Sequence, residues 1–235
     1  MRKSPVEFVK GKHTGLEIPA HEEIVIEGEV PPPDKESHDE GPFGEFTGYY
    51  GQDITSRPII KIKSIMFRNN PMIQGDPPLR PPYGHFGLPI INAPSVWNKL
   101  ELAGIPGITG VYPLLAAGGT QALVVSIKQL YAVNVRQVAL AATSAVTTIC
   151  RFVIIVDEDI EASDPNDVIW ALATRCEPFE SIEISKDRMS MSIDPRISPE
   201  EKANGNYTTR VAMINACRPF GWFKEYHMIS TSSYC

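Results

Sequence analysis

The chain has 235 residues, 43% of them hydrophobic and 21% charged, and a net charge of −6. This is a globular composition with enough apolar content for a core, and an acidic sum without a basic run excludes a nucleic-acid footprint. The longest apolar stretches, near 111–127 and 138–156, are interrupted by Gly, Gln, Lys, Thr and Arg before they could cross a bilayer.

The N-terminal MRKSPVEFVKGKHTG carries charge with no apolar run behind it and does not read as a secretory signal. Cys150, Cys176, Cys217 and Cys235 are scattered and form no metal spacing with the five histidines. Reduced thiols in a cytoplasmic protein, away from membranes and nucleic acid, are the expectation. In chain order, residues 1–75 read as β. VEFVK is a short strand. EEIVIEGEV alternates, with Ile24 and Ile26 on one face and Glu23, Val25 and Glu27 on the other. The aromatic GEFTGYY and the alternating RPIIKIKSIMF, through Ile60, Ile62 and Ile65, continue the run. Successive strands without helices predict an antiparallel sheet or part of a barrel, because so few strands cannot close one.

Proline interrupts this pattern in EVPPPDKESHDEGP and again in NNPMIQGDPPLRPPYGHFGLP. Neither segment can be helix or central strand, so both are predicted as long loops, a class that often carries function. From about residue 76 helices and strands alternate. NAPSVWNKLELAG reads as a helix after an Asn92 cap, ending at Gly104. ITGVYPL and QALVVSIK are strands, and NVRQVALAATSAV is a helix. RFVIIVDEDI is an almost unbroken apolar strand, the kind buried on both faces. In SDPNDVIWALATRC, Asp164 can cap a helix, Pro165 suits its first position and Asp167 sits three after the cap. RVAMINAC is a late strand. Trp97 and Trp170 fall on helices, where core packing is expected. MISTSSYC shows no pattern and is expected to fray. The domain reading is β over 1–75, α/β over 76–225 and a disordered tail over 226–235.

One segment asks for chemistry. EGPFGEFTGYYG places Glu40 and Glu45 at the two ends of Gly41-Pro42-Phe43-Gly44, followed by Phe46, Tyr49 and Tyr50. Gly and Pro rule out a helix there and let backbone approach a ligand closely. Two readings stay open on these grounds: a proline-rich surface loop with solvated acids, or a carboxyl proton donor in an aromatic setting that excludes water. The acids of VDEDIEASD read as a strand-end loop before a helix N-terminus in preference to a Mg²⁺ site. His85, in the second loop, reads as a surface or hydrogen-bonding histidine, with catalysis as the alternative.

Taken together, IPAHEEIVIEGEVPP, EGPFGEFTGYYG, IKSIMFRNNP, LVVSIKQ, RFVIIVDEDIEASDPNDVIWALATRCEP and INACRPF resemble the UbiD family of reversible decarboxylases, in that family's order, from about Val6 to Phe223. The resemblance implies an α+β fold: a partial antiparallel split β-barrel, then a layered α/β C-terminal domain. It implies prenylated FMN as cofactor, held in the family with Mn²⁺ and K⁺, and an aromatic or α,β-unsaturated carboxylic acid as substrate. Glu40 and Glu45 map onto the glutamates of an Arg-Glu-Glu catalytic set. Glu45 would donate the proton that replaces CO₂, Glu40 would orient the arginine, and Phe46 would touch substrate. His85 falls in a loop where the family varies substrate-sorting residues.

The resemblance covers only the family's C-terminal half. Its Asn-x-x-x-x-Arg stretch and the Asn, His and Glu that hold the metal have no counterpart in this sequence. The isolated chain is therefore expected to be inactive, and to act with a complementing N-terminal-half subunit or as a homo-oligomer. The alternative is a non-catalytic assembly subunit or a fragment of such an enzyme. Two further departures are Ser144, where some members carry a lysine near the cofactor, and Asn215, where many carry Asp.

Overall fold

Strand-forming sequence in the first part of the chain pairs only two strands at a time. In the computed structural model, residues 4–51, 53–75, 77–82, 87–146 and 149–222 are described. His85 and the tail expected over 226–235 lie outside the described residues. Contacts divide the chain into two units: Met1–Phe43 with Gln52–Asp76, and Gly44–Gly51 with Pro77–Cys235.

The first unit contains β1 (Phe8–Lys10), β2 (Glu17–Pro19), β3 (Ile24–Glu29), β4 (Ser37–Glu40), β5 (Thr55–Pro58) and β6 (Lys61–Phe67). They pair antiparallel as β1–β2, β3–β6 and β4–β5, and the described residues form no closed barrel. RPIIKIKSIMF, read as one run, is divided between β5 and β6. EEIVIEGEV contains β3, and in it Glu23, Ile24 and Val25 are all half-buried and a sharp contrast between faces appears only at Ile26 and Glu27. Ile26 is 53% exposed and stands opposite Ile65, 54% exposed, while Glu27 is 5% exposed. Glu27 can be buried because the turn at His13 and Thr14 supplies donors: Thr14 N at 2.9 Å and Thr14 Oγ1 at 2.6 Å. Those hydrogen bonds, the Thr14 hydroxyl first, hold its carboxyl below the ordinary range against the effect of burial.

The second unit is built on one sheet. Its elements are α1 (Gly87–Leu102), β7 (Ile108–Pro113), β8 (Ala122–Ile127), α2 (Asn134–Ala145), β9 (Phe152–Asp157), α3 (Pro165–Arg175), α4 (Pro178–Ser181), β10 (Ile182–Met189), α5 (Pro199–Ala203) and β11 (Thr208–Ala216). The strand order is β10-β11-β9-β8-β7, parallel at its centre and antiparallel at both edges. Side chains alternate across the central strands. Leu123, Val125, Val153 and Ile155 pack with Leu100 of α1 and Val138 of α2. Val124, Ile154 and Val156 pack with Val168 and Ala171 of α3. Both faces are covered, which is why β8 and β9 read as continuous apolar runs. Each such Val, Leu or Ile contributes about 1.5–3 kcal/mol by burial.

The α3 start is as read: Asp164 accepts from Asn166 N at 2.8 Å and Pro165 opens the helix. α1 differs. It begins at Gly87, so Asn92 is interior to it and not its cap, and Pro94 also lies inside. Trp97 packs against the core and donates to Glu101 Oε1 at 2.8 Å. Trp170 corrects the core reading. It is 43% exposed, with the Arg175 guanidinium 5.1 Å from its ring centre. Among the described residues no helix is long and apolar enough to cross a membrane.

Candidate active site

The two glutamates of EGPFGE fall in different units. Glu40 closes β4, and on the neighbouring strand Arg57 Nε lies 3.6 Å from Glu40 Oε2, both side chains about half exposed. Such a surface pair contributes at most about 1 kcal/mol. Glu45 belongs to the 44–51 segment of the second unit. The expected aromatic strand there is a tight hairpin instead. Gly44 bridges Tyr50, Glu45 N donates to Tyr49 O at 2.9 Å, and Gly48 N donates to Glu45 O at 2.8 Å. Glu45 is half-buried. Its side chain occupies the space beside Gly51: a Cβ on Gly51 would lie 2.3 Å from Glu45 Cγ. Lys202 Nζ donates to Gly51 O at 3.3 Å and steadies the end of the hairpin. No hydrogen bond or ion pair engages the Glu45 carboxylate among the described residues.

Phe46, next in sequence, lines a cavity of about 500 Å³ in the same unit. Its wall is mostly apolar, with Val96, Leu123, Ile149 and Met191 facing Phe46, and Lys99 as the charged member. This volume is ordinary for a small-molecule site. The cavity sits at the amino ends of the parallel strands, where β8 begins and where residue 149 leads into β9. Lys99 Nζ donates to Ala145 O at 2.8 Å, and Arg188 Nη2 donates to Thr143 O at 2.6 Å. Two cations therefore complete the C-terminus of α2, where the helix dipole favours positive charge.

Ile149 is 2% exposed and has φ of 56°. A β-branched residue resists that left-handed conformation, so surrounding structure must hold it. A buried network supplies the hold. Arg151 Nη2 donates to both oxygens of Asp194 at 2.6 Å, and Arg151 also donates to Thr209 Oγ1. Asp194 is fully buried and accepts from Ser190 Oγ and from Arg196 N at 2.9 Å. Burial alone would raise its carboxyl; the bonds from Ser190, Arg196 N and Arg151 outweigh that and hold it below the ordinary range. The network ties the segment entering β9 to the turn after β10, which carry Ile149 and Met191.

The opposite end of the sheet is saturated with ion pairs. Asp157 accepts from Arg175 Nη1 at 2.8 Å, Arg218 N at 2.7 Å and Gln129 Nε2 at 2.7 Å. Arg175 also holds Asp159 through two bonds of 2.9 Å. For Asp159, burial acts upward, but Arg175 and Arg218 outweigh it and hold the carboxyl down. Of the acids of VDEDIEASD, Asp157 and Asp159 thus serve arginines, and Asp164 caps α3. Among the described residues no group of three or more His, Cys, Asp or Glu could hold a metal ion.

Sequence reasoning singled out Glu40, Glu45 and Phe46 as candidates; the structure puts Glu45 and Phe46 on one hairpin and Glu40 at the end of β4. It did not find Ile149, Met191, Lys99, Arg151 or Asp194. The arginine opening an apolar strand in RFVIIV was the available signal for a buried partner. Ser144 donates to Leu140 O at 3.1 Å on the exposed side of α2. Asn215 Oδ1 accepts from Cys217 N at 3.0 Å.

Comparison with known proteins gives one consistent result. Residues 87–215 match the 3-octaprenyl-4-hydroxybenzoate carboxy-lyase C-terminal domain, and residues 1–81 match the Rift-related domain of the same enzymes. Phenolic acid decarboxylase of Bacillus subtilis (strain 168) is 32% identical over 206 residues, which span 83% of this chain and 41% of that protein. The UbiD-class enzyme HmfF from Pelotomaculum thermopropionicum, solved in complex with FMN, is 27% identical with a TM-score of 0.82, over 97% of this chain and 49% of that one. Apo 3,4-dihydroxybenzoic acid decarboxylase (AroY) of Klebsiella pneumoniae is 27% identical with a TM-score of 0.81, over 96% and 48%. The chain spans about half the length of the relatives it matches.

Proposed function

The chain belongs to the UbiD carboxy-lyase family, and from that membership we propose that it supplies the proton-donor side of a non-oxidative, reversible decarboxylase. The observation that carries this reading is the adjacency of Glu45 and Phe46: a carboxyl with no partner among the described residues belongs to the neighbour of a residue that lines an apolar cavity of about 500 Å³. A cavity of this kind takes a flat aromatic or α,β-unsaturated acid and excludes water from its ring. Prenylated FMN, when bound, supplies the electron sink for the pair left by C–C cleavage. The residues described here do the remaining work. Phe46, Ile149 and Met191 hold the ring. Glu45 gives its carboxyl proton to the carbon that has lost CO₂ and regains one from water before the next turnover. Glu40 orients a cation, a role that its pairing with Arg57 supports.

The described residues fit the flavin in part. The apolar wall suits a ring, while among the described residues no group of three or more His, Cys, Asp or Glu could hold a metal ion. The metal ligands and the catalytic arginine belong, in this reading, to a complementing N-terminal half. The exposed pair Ile26 and Ile65 on β3 and β6 favours a covering partner. The same pair favours the second reading, an assembly subunit without chemistry of its own.

Purified chain and a co-expressed polypeptide carrying the relatives' preceding half, each alone and together, should be assayed on benzoic and cinnamic acids with and without prenylated FMN. Turnover is expected only from the pair with the flavin. Turnover by this chain without flavin would overturn the reading.

A further inference from the structure

Beside the glutamate hairpin lies a second cavity, of about 450 Å³, that the decarboxylation reading does not use. Its wall is polar and contains Thr47, Tyr49, Arg80 and Gln121. Each of these side chains can donate hydrogen bonds, and none is engaged in a hydrogen bond or ion pair among the described residues. Thr47 is 5% exposed, and its hydroxyl is buried without a partner. Gln121 is half-buried, while Tyr49 and Arg80 stand exposed at the mouth. In a chain of net charge −6, this wall holds a cation and no carboxylate.

The backbone that carries the arginine is held in place. Gly48, with φ of 83°, packs so closely on the 77–82 segment that a Cβ there would lie 2.9 Å from Arg80 Cα. Prolines at 77, 78, 81 and 82 stiffen the segment on both sides of Arg80. A guanidinium carried on a held backbone, lining the same cavity as an orphan hydroxyl, an amide and a phenol, matches the chemistry of an oxyanion. A buried donor with no acceptor is also costly to leave empty-handed.

We infer that this cavity is an oxyanion-binding site, taking a carboxylate or phosphate group carried on a small organic molecule. Its volume exceeds what a bare ion needs, so the anionic group sits on Arg80 and Thr47 while the rest of the molecule fills the remaining space. The inference does not depend on the decarboxylase reading, and its test uses no turnover.

The full chain should be titrated with inorganic phosphate, benzoate and the neutral analogue benzyl alcohol while the NMR signals of Thr47 and Gln121 are followed. Saturable shifts with benzoate or phosphate, and none with benzyl alcohol, are expected; whichever anion binds more tightly identifies the group. Arg80→Gln changes an exposed side chain and should weaken binding by about tenfold or more, because a hydrogen bond to a charged group is lost. Thr47→Val, with folding checked by melting temperature, should weaken it less. Non-saturating shifts for both anions, or unchanged affinity in Arg80→Gln, would overturn the inference.

Discussion

Glu45 occupies the space that a side chain on Gly51 would fill: a Cβ there would stand 2.3 Å from Glu45 Cγ and 3.0 Å from its Oε1. The hairpin that carries the acid also fixes where the acid points. Gly51→Ala is therefore expected to displace the Glu45 side chain while leaving the 44–51 backbone bonds formed. In the complemented enzyme, decarboxylation should fall by about a hundredfold, the scale of a misplaced reacting group. The melting temperature should change little. Unchanged activity would show that Glu45 does not act from this position.

Asp157 and Arg175 form a pair with each side chain 2% exposed. Asp157→Ala removes one of the two carboxylates that Arg175 engages in a desolvated site. A loss of about 3–5 kcal/mol is expected, the usual result of removing one partner of a buried pair. Urea unfolding measures it. A loss below about 1 kcal/mol would mean that water reaches the cluster.

Asp194 links pH to the cavity wall. Its folded-state carboxyl lies below its ordinary value, so the stability it contributes is present above the unfolded value, near about 3.9, and is lost as pH falls through the folded one. Arg151, Ser190 and Arg196 N face it and bring no competing acid. Unfolding free energy should therefore decline below about pH 4. Asp194→Asn should be less stable at neutral pH and show a shallower acid decline. It should also loosen Ile149 and Met191, seen as weaker binding of an aromatic acid at neutral pH.

How much of this was legible in the sequence depended on whether the determining contacts were local. The faces of β8 and β9 follow from residue type alone, because both sides of those strands are covered. The start of α3 follows from Asp164 and Pro165. α1 was misplaced because it has no acid in its first turn and carries Pro94 inside, so the local signals pointed to Asn92. β10 was missed because Glu183, Lys186, Asp187 and Arg188 crowd it; as an edge strand it pairs on one side only and tolerates them. The burial of Glu27 was not legible because its donors, His13 and Thr14, are distant in sequence. The EGPFGE pair was visible as a pattern, but the seat of Glu45 against Gly51 and the cavity beside Phe46 are tertiary. They depend on α1, on the 149–151 segment and on the turn after β10.

The central claim is that Glu45 is the proton donor beside the Phe46 cavity. The most direct measurement is decarboxylation by the complemented, flavin-loaded enzyme carrying Glu45→Gln, with binding of the same aromatic acid followed in parallel. The account predicts that turnover falls by about a hundredfold or more while the acid still binds. Turnover within about twofold of the unaltered enzyme would contradict it.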